Sequence, residues 1–473
     1  MKIPERLIGF VDYEGTKYPF EFDADSFYLN LYPPTVEVWH GASSIRGLIP
    51  LTGKREKKHE WIGELRLEGF ASDGKKVLFC LQANRSNYHG FYSYPVNWYF
   101  YYSAQMKTDN ISGFSLSGDV INYYFNPQQA LESVFHFSSD NTKLEKITVA
   151  STKQITESCG KYRIIPHIDA QIEVTCYASA HTNSFTNPID ATSKMVTIFS
   201  SPVDIDTLID AYRYTTAFFK YVTYRNNIGI DTAPVFCMNP ENLRDYAGLL
   251  VFEKEEKDEA HKKKAEAIIP HEILRHRAGL LFTNIKNDKL GFQHICNSIS
   301  DAMKYPSSRI IMIFAAFERE YRNIYGTDNA RSEEYLSTKE EVVKLIEDYT
   351  KTLHGKKRSY SKQLSKFVQN RDSSFEFNLK RVLADCEEIM VPFVRIKYDG
   401  TYTDIIDGIC ERMGIVRNGI AHSRLDLQFD AIHLCDIKIV EELLYTMRLK
   451  KCHLNTAEIQ QSINRIFREN IAL

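Results

Sequence analysis

The chain contains no uninterrupted apolar run of about 18 residues, so a membrane-spanning helix is not expected. Its opening residues, Met1-Lys2-Ile3-Pro4-Glu5-Arg6, have neither an apolar core nor a small-residue cleavage site, and a secretory leader is not expected either. Charge of one sign is also lacking. The 59 Lys+Arg meet 61 Asp+Glu for a net charge of -2, so affinity for nucleic acid or membrane has to come from a local patch. Paired cysteines are missing: the nine are scattered, odd in number and never in a Cys-x-x-Cys, which argues against a disulfide framework or zinc ribbon. Reduced and mostly buried thiols are expected instead. These absences predict a cytoplasmic protein without membrane association.

Several catalytic signatures are missing too. There is no Gly-x-x-x-x-Gly-Lys-Ser/Thr loop, no Gly-x-Gly-x-x-Gly fingerprint and no Gly-x-Ser-x-Gly elbow, which leaves nucleotide-driven motors, dehydrogenases and α/β-hydrolases without support. His271-Glu272-Ile273-Leu274-Arg275-His276 fails as a zinc-protease helix. Its histidines are five apart, about 140° around a helix, where one face needs a spacing of four. No cofactor and no metal are called for.

What is present divides into two periods. The 473 residues, 43% hydrophobic and 25% charged, suit two to four globular domains. Short apolar or aromatic runs at Leu7–Val11, Lys17–Phe22, Thr35–Val38, Gly63–Phe70, Lys76–Leu81 and Trp98–Tyr102 alternate with turn signals such as Ser72-Asp73-Gly74. The series continues at Ile121–Phe125, Leu144–Ala150, Ile172–Tyr177 and Met195–Phe199, and predicts a sandwich or barrel. At Ser201-Pro202 a helix start is expected, with Leu208, Tyr212, Thr215, Phe219 and Val222 at helical spacing. Extended segments return at Leu249–Phe252 and Leu280–Thr283 around a charged, solvated insert, Glu253–Glu266.

Beyond Lys286 the pattern is helical. Ile310, Ile313, Phe314, Phe317, Tyr321 and Ile324 form one amphipathic stripe, and similar stripes recur over Glu333–Leu353, Phe375–Arg395, Thr403–His422, Asp430–Leu449 and Thr456–Phe467. The expected class is α+β. A β-rich, sandwich-like domain at 1–200 is followed by a mixed helix/strand connection at 201–285 packed on it, and then by an all-α bundle at 286–473.

The segment Val416-Arg417-Asn418-Gly419-Ile420-Ala421-His422 closes a helix whose apolar face is Ile405, Ile409, Met413, Val416 and Ile420. Arg417, Asn418 and His422 fall largely off that stripe, and Asn418 and His422 are i, i+4 neighbours. These residue types suit metal-free RNA cleavage. A histidine near neutral pKa can move the 2′-OH or leaving-group proton, an arginine fork can hold phosphate, and an asparagine can orient either. Arg417 and His422 are five apart, so one straight helix does not bring them together well; a helix ending near His422, or a second copy across a dimer, would. Arg448 and His453 repeat the spacing without the asparagine, as chance alone would produce. Between Lys351 and Arg381, nine Lys/Arg stand against Asp372 and Glu376, with Tyr360 and Phe367 interleaved. Lys356, Lys357, Arg358 and Lys362 are the candidate RNA-binding residues of this local basic surface, which is otherwise a solvated basic loop.

Arg417-Asn418-x3-His422 on a late helix of a C-terminal bundle resembles the HEPN ribonucleases, and Phe317-Glu318-Arg319-Glu320 resembles that family's early bundle helix. The aromatic β-rich leader, with Gly9-Phe10 near its start, resembles the N-terminal domain of ApeA-type anti-phage proteins. The resemblance implies a homodimer through the bundle, with Arg417 on phosphate, Asn418 supporting geometry and His422 as acid/base. The acidic helper is Glu318 or Glu320, with Glu318 kept in the candidate set. It implies products ending in 2′,3′-cyclic phosphate and 5′-OH without a required metal, an RNA substrate such as tRNA, and abortive infection released by a phage-derived trigger. The alternative is a non-catalytic protein whose β-domain recognises a ligand while the bundle only dimerises.

Overall fold

The computed structural model describes residues 5–13, 15–32, 65–82, 86–88, 91–137, 144–151, 154–180, 189–254, 267–298, 300–326, 333–370, 374–421 and 429–472. It divides into two compact units, one formed by 1–216 and 228–257 and the other by 217–227 and 258–473. The β-rich half and the helical half expected from the two periods are both present.

The first unit is built on antiparallel pairing. Its early strands are β1 (Arg6–Tyr13), β2 (Thr16–Asp23), β3 (Tyr28–Leu31), β4 (Leu65–Ala71), β5 (Lys76–Leu81), β6 (Ser86–Tyr88) and β7 (Phe91–Tyr102). The pairings run β7-β3-β2-β1-β4-β5 and return from β5 to β7, so six strands form a closed circuit. Alternation explains it: Leu7 and Val11 of β1 point into a core with Phe20, Phe22, Phe79 and Tyr99, while Ile8 and Phe10 face outwards. Gly9 has a steric reason of its own. A Cβ there would collide with the Phe70 carbonyl oxygen of the neighbouring strand.

The sheet continues through β8 (Ile111–Ser117), β11 (Ile155–Ile165), β12 (Ile168–Ala180), β13 (Ile189–Val203), β14 (Thr232–Met238) and β15 (Arg244–Phe252). A separate ribbon pairs β9 (Leu131–Phe137) with β10 (Leu144–Ser151). Apart from that ribbon, the described strands belong to one hydrogen-bonded sheet. The expected strand Thr35–Val38 lies outside the described residues. Ile121–Phe125 differs from expectation: Asp119–Tyr124 is helix α1, entered from Gly118 at φ 142. A short apolar run carries no period of its own, and here a helix turn buries Val120, Ile121 and Tyr124. The expected helix start at Ser201-Pro202 also moves. Strand β13 runs to Val203, and Asp204 accepts the Thr207 N–H at 2.9 Å to open α2 (Ile205–Thr223).

The second unit holds α3 (His271–Leu274), α4 (Ala278–Lys286), α5 (Ser307–Tyr325), α6 (Glu333–Thr352), α7 (Gly355–Asn370), α8 (Phe375–Asp385), α9 (Glu387–Arg395), α10 (Tyr402–Ala421), α11 (Ala431–Lys451) and α12 (Thr456–Phe467). Leu280–Thr283, expected to be extended, lies inside α4, because Ala278, Leu281, Phe282 and Ile285 bury one helical face. The stripe over Phe375–Arg395 breaks into two helices at Cys386. Among the described residues no helix is long and apolar enough to cross a membrane. All nine cysteines are free thiols, and seven are buried.

Helix α11 is the axis of this unit. From Ile439 to Leu449 every residue is buried, which places the helix inside the bundle rather than on its surface. Its buried charged side chains are paired: Glu441 with Arg309 at 2.8 Å, Glu442 with Lys397 at 3.0 Å, Asp436 with Arg412 at 2.7 Å and Arg448 with Glu320 at 2.5 Å.

Candidate catalytic surface on the helical unit

Ile405, Ile409, Met413, Val416 and Ile420 are all buried, so the apolar stripe of α10 fixes its rotation. That rotation leaves Arg417 half-buried and Asn418 exposed. Helix α5 presents Glu318 to the same place. Nε and Nη2 of Arg417 lie 3.2 and 3.0 Å from Oε1 of Glu318, and Nη1 lies 3.4 Å from Oδ1 of Asn418. One edge of the guanidinium is thus held by a carboxylate, and Nη1 is turned towards Asn418. His422 lies outside the described residues.

The two acids on α5 part company. Glu320 is buried and bound to Arg448, whose Nη2 also donates to the Lys289 carbonyl at 2.9 Å. Burial pushes the Glu320 carboxyl up, and the Arg448 guanidinium opposes it. Arg448, the second arginine with a histidine five residues on, is therefore a core residue, 2% exposed against 39% for the Arg417 side chain.

Lys356, Lys357, Arg358 and Lys362 are exposed, on helix α7 rather than on a loop. A helix orders them. Ser361 and Ser365 face inwards, with Ser361 sharing a 2.6 Å hydrogen bond with Thr350 of α6. Arg358, Lys362 and Lys366 follow at four-residue steps, and Lys356, Tyr360, Gln363 and Phe367 form a second row on another flank of the helix. Tyr360 and Phe367 are 60% and 63% exposed, high for aromatic residues and in keeping with a contact surface.

A groove of about 860 Å³ lies between α7, α8 and α10. Gln363, Lys366 and Phe367 come from α7, Glu376, Phe377 and Lys380 from α8, and Asp407, Cys410, Glu411 and Ile415 from α10. The sequence reading missed this feature. Its one legible sign was Ile415, an isoleucine off the buried stripe of its helix and 61% exposed. Burial pushes the Cys410 thiol up to about 12, so it is a wall residue and no nucleophile.

The His271–His276 segment forms no histidine pair on one face: His271 is buried at the start of α3 and His276 sits in an exposed turn. No model of a known family, no curated protein and no solved structure matches this chain.

Proposed function

We propose that the protein is a metal-independent endoribonuclease of HEPN type. Arg417 binds the scissile phosphate, and Glu318 holds its guanidinium in place. Asn418 supports the geometry, and His422 transfers protons. The 2′-oxygen, losing its proton, attacks phosphorus; the bond from phosphorus to the 5′-oxygen breaks, and that oxygen takes a proton. The products are a 2′,3′-cyclic phosphate and a 5′-OH. Lys356, Lys357, Arg358 and Lys362 hold the strand electrostatically. The acting form is a cytoplasmic homodimer through the bundle. Its role is to cleave RNA, tRNA among the candidates, in abortive infection once a phage-derived trigger acts on the β-rich unit.

The observation that carries this reading is the contrast between two arginines of equal spacing. Arg448 is consumed by the core, whereas Arg417 sits at the surface, oriented by a carboxylate and next to an exposed asparagine. A second reading has one observation in its favour: an Arg417–Glu318 pair can also simply join α5 to α10, as in a non-catalytic scaffold whose bundle only dimerises.

The test is cleavage of total cellular RNA in EDTA by the wild type, Arg417→Ala and His422→Ala. Fragments made by the wild type alone, ending in 2′,3′-cyclic phosphate, support the ribonuclease. Equal cleavage by all three moves the chemistry elsewhere. No cleavage by any of them, with or without extract of phage-infected cells, favours the scaffold.

A further inference from the structure

The groove between α7, α8 and α10 has a composition that a packing defect would not need. Phe367 of α7 and Ile415 of α10 line it, both more than half exposed, and Phe377 of α8 lines it with them. Lys366 sits at the rim, where the Arg358–Lys362–Lys366 row of α7 arrives. Asp407 is already bound to Lys380 at 2.5 Å. Glu376 and Glu411 line the same groove, and among the described residues neither has an ion pair. Glu376 is seated against α10 by a missing side chain: a Cβ at Gly414 would collide with its carboxylate. The α10 face that forms one wall carries Glu411 and Ile415, and Asn418 follows seven and three residues later on that face.

We propose that this groove is a nucleobase subsite that takes an unpaired guanine of a single-stranded RNA, stacked on Phe367. The strand's phosphates lie along Arg358, Lys362 and Lys366, and the next nucleotides continue towards Asn418 and Arg417. The proposal deepens the ribonuclease reading by naming the form of its substrate and a base it prefers. Three features select this occupant. A helix that carries cations on one flank and exposed aromatics on another suits a backbone with unstacked bases, whereas a duplex hides its base faces. Phe367, Phe377 and Ile415 give the groove apolar faces on which a base can stack, and a base that enters it is free of its pair. A carboxylate accepts two adjacent N–H donors, and guanine presents N1–H and N2–H side by side. Adenine and cytosine set one amino group beside a ring acceptor, and uracil sets its single N–H between two carbonyls, so a carboxylate meets repulsion on each. A cationic peptide would also suit Glu376 and Glu411, but Lys366 in the lining, with Arg358 and Lys362 preceding it on α7, disfavours it.

Binding is measured on full-length His422→Ala protein, so that turnover does not enter, with fluorescent single-stranded RNA 10-mers. One is uridine throughout, one carries a central guanine, one a central adenine, and the guanine 10-mer is also annealed to its complement. The guanine strand should bind more tightly than the other two, and the duplex more weakly. Phe367→Ala should weaken the guanine strand by about ten-fold. Glu376→Gln or Glu411→Gln should abolish the guanine preference, with the uridine strand bound as tightly as before or more so, and Gly414→Ala should imitate Glu376→Gln. Neutralising Arg358, Lys362 and Lys366 together should reduce the slope of log affinity against log salt by about 2.

Equal affinity for all three bases, or an unchanged affinity in Phe367→Ala, overturns the subsite. So does a change of oligomeric state in Phe367→Ala by sedimentation, which would assign the aromatic face to a second copy. These outcomes are separate from failure of the ribonuclease: guanine-selective binding by a protein whose wild type cuts nothing would leave the subsite standing and remove only the cleavage.

Discussion

Two arginines in one chain, each with a histidine five residues on, show what a side chain's surroundings do to its chemistry. Arg448 is sealed against Glu320, and removing either partner leaves the other charge buried and alone. Arg448→Ala is therefore expected to cost about 3–5 kcal/mol, read from chemical unfolding, with cleavage by the folded fraction unchanged. Glu318→Gln should do the opposite. The pair it breaks is partly exposed, so stability should move by no more than about 1 kcal/mol. The guanidinium it releases should lose its aim, lowering turnover about ten- to a hundred-fold. RNA binding should hold or tighten, because a negative charge beside the proposed phosphate site is removed. Equal loss of stability in both variants would deny the distinction between these two pairs.

At the scale of elements, close approach and burial set the sensitivities. Gly9 permits β1 to lie against β4, and Gly9→Ala should destabilise by about 1–3 kcal/mol through overpacking, with a lowered unfolding midpoint. Between α4 and α5, His294 is buried against Arg309 and 6.0 Å from the Tyr224 ring, and burial with that positive neighbour lowers its pKa to about 4. The folded form keeps this imidazole neutral while the unfolded chain protonates it near the ordinary histidine value of about 6.5. Its contribution is thus complete above pH about 6.5 and is lost as pH falls towards 4. His294→Phe should flatten the stability-versus-pH curve in that window and leave it unaltered at pH 8. A wild-type slope persisting in the variant would assign the effect to other groups.

For the whole molecule, the course of the chain matters more than the order of its domains. Residues 217–227 belong with the helical unit although strands β14 and β15 of the first unit follow them. Within that helical unit Phe218 stacks on Phe282 at 4.6 Å, Tyr221 stacks on Tyr445 at 4.6 Å, and the Tyr224 hydroxyl donates to Glu441. A fragment of 286–473 lacks all of these and leaves Glu441 short of a partner in the core. It should melt at least about 10 °C below the same bundle in the full chain, or fail to fold, by circular dichroism. A fragment as stable as the intact unit would show that these contacts are dispensable.

Much of this was legible because period is a local property. The stripe Ile405, Ile409, Met413, Val416 and Ile420 defined α10 and put Arg417 and Asn418 off its buried face before any packing was known. Phe10 and Phe70, which the pleat turns outwards while Val11 and Ala71 turn in, follow from the strand period in the same way. Where a segment lacked a clear period the reading failed: Ile121–Phe125 and Leu280–Thr283 are too short to separate strand from helix, and tertiary burial chose helix for both. The choice between Glu318 and Glu320 was beyond the sequence for a different reason. The two flank the α5 stripe on opposite sides, and only the neighbours, α10 for one and α11 for the other, decide which is exposed and which is sealed. The groove over Phe367 and Ile415 likewise exists only once three helices meet. Alternation and amphipathic spacing, which act within one element, determined the two halves and the faces of their helices; partnership between elements, which depends on where distant segments pack, decided the core charges, the orientation of Arg417 and the groove beside it.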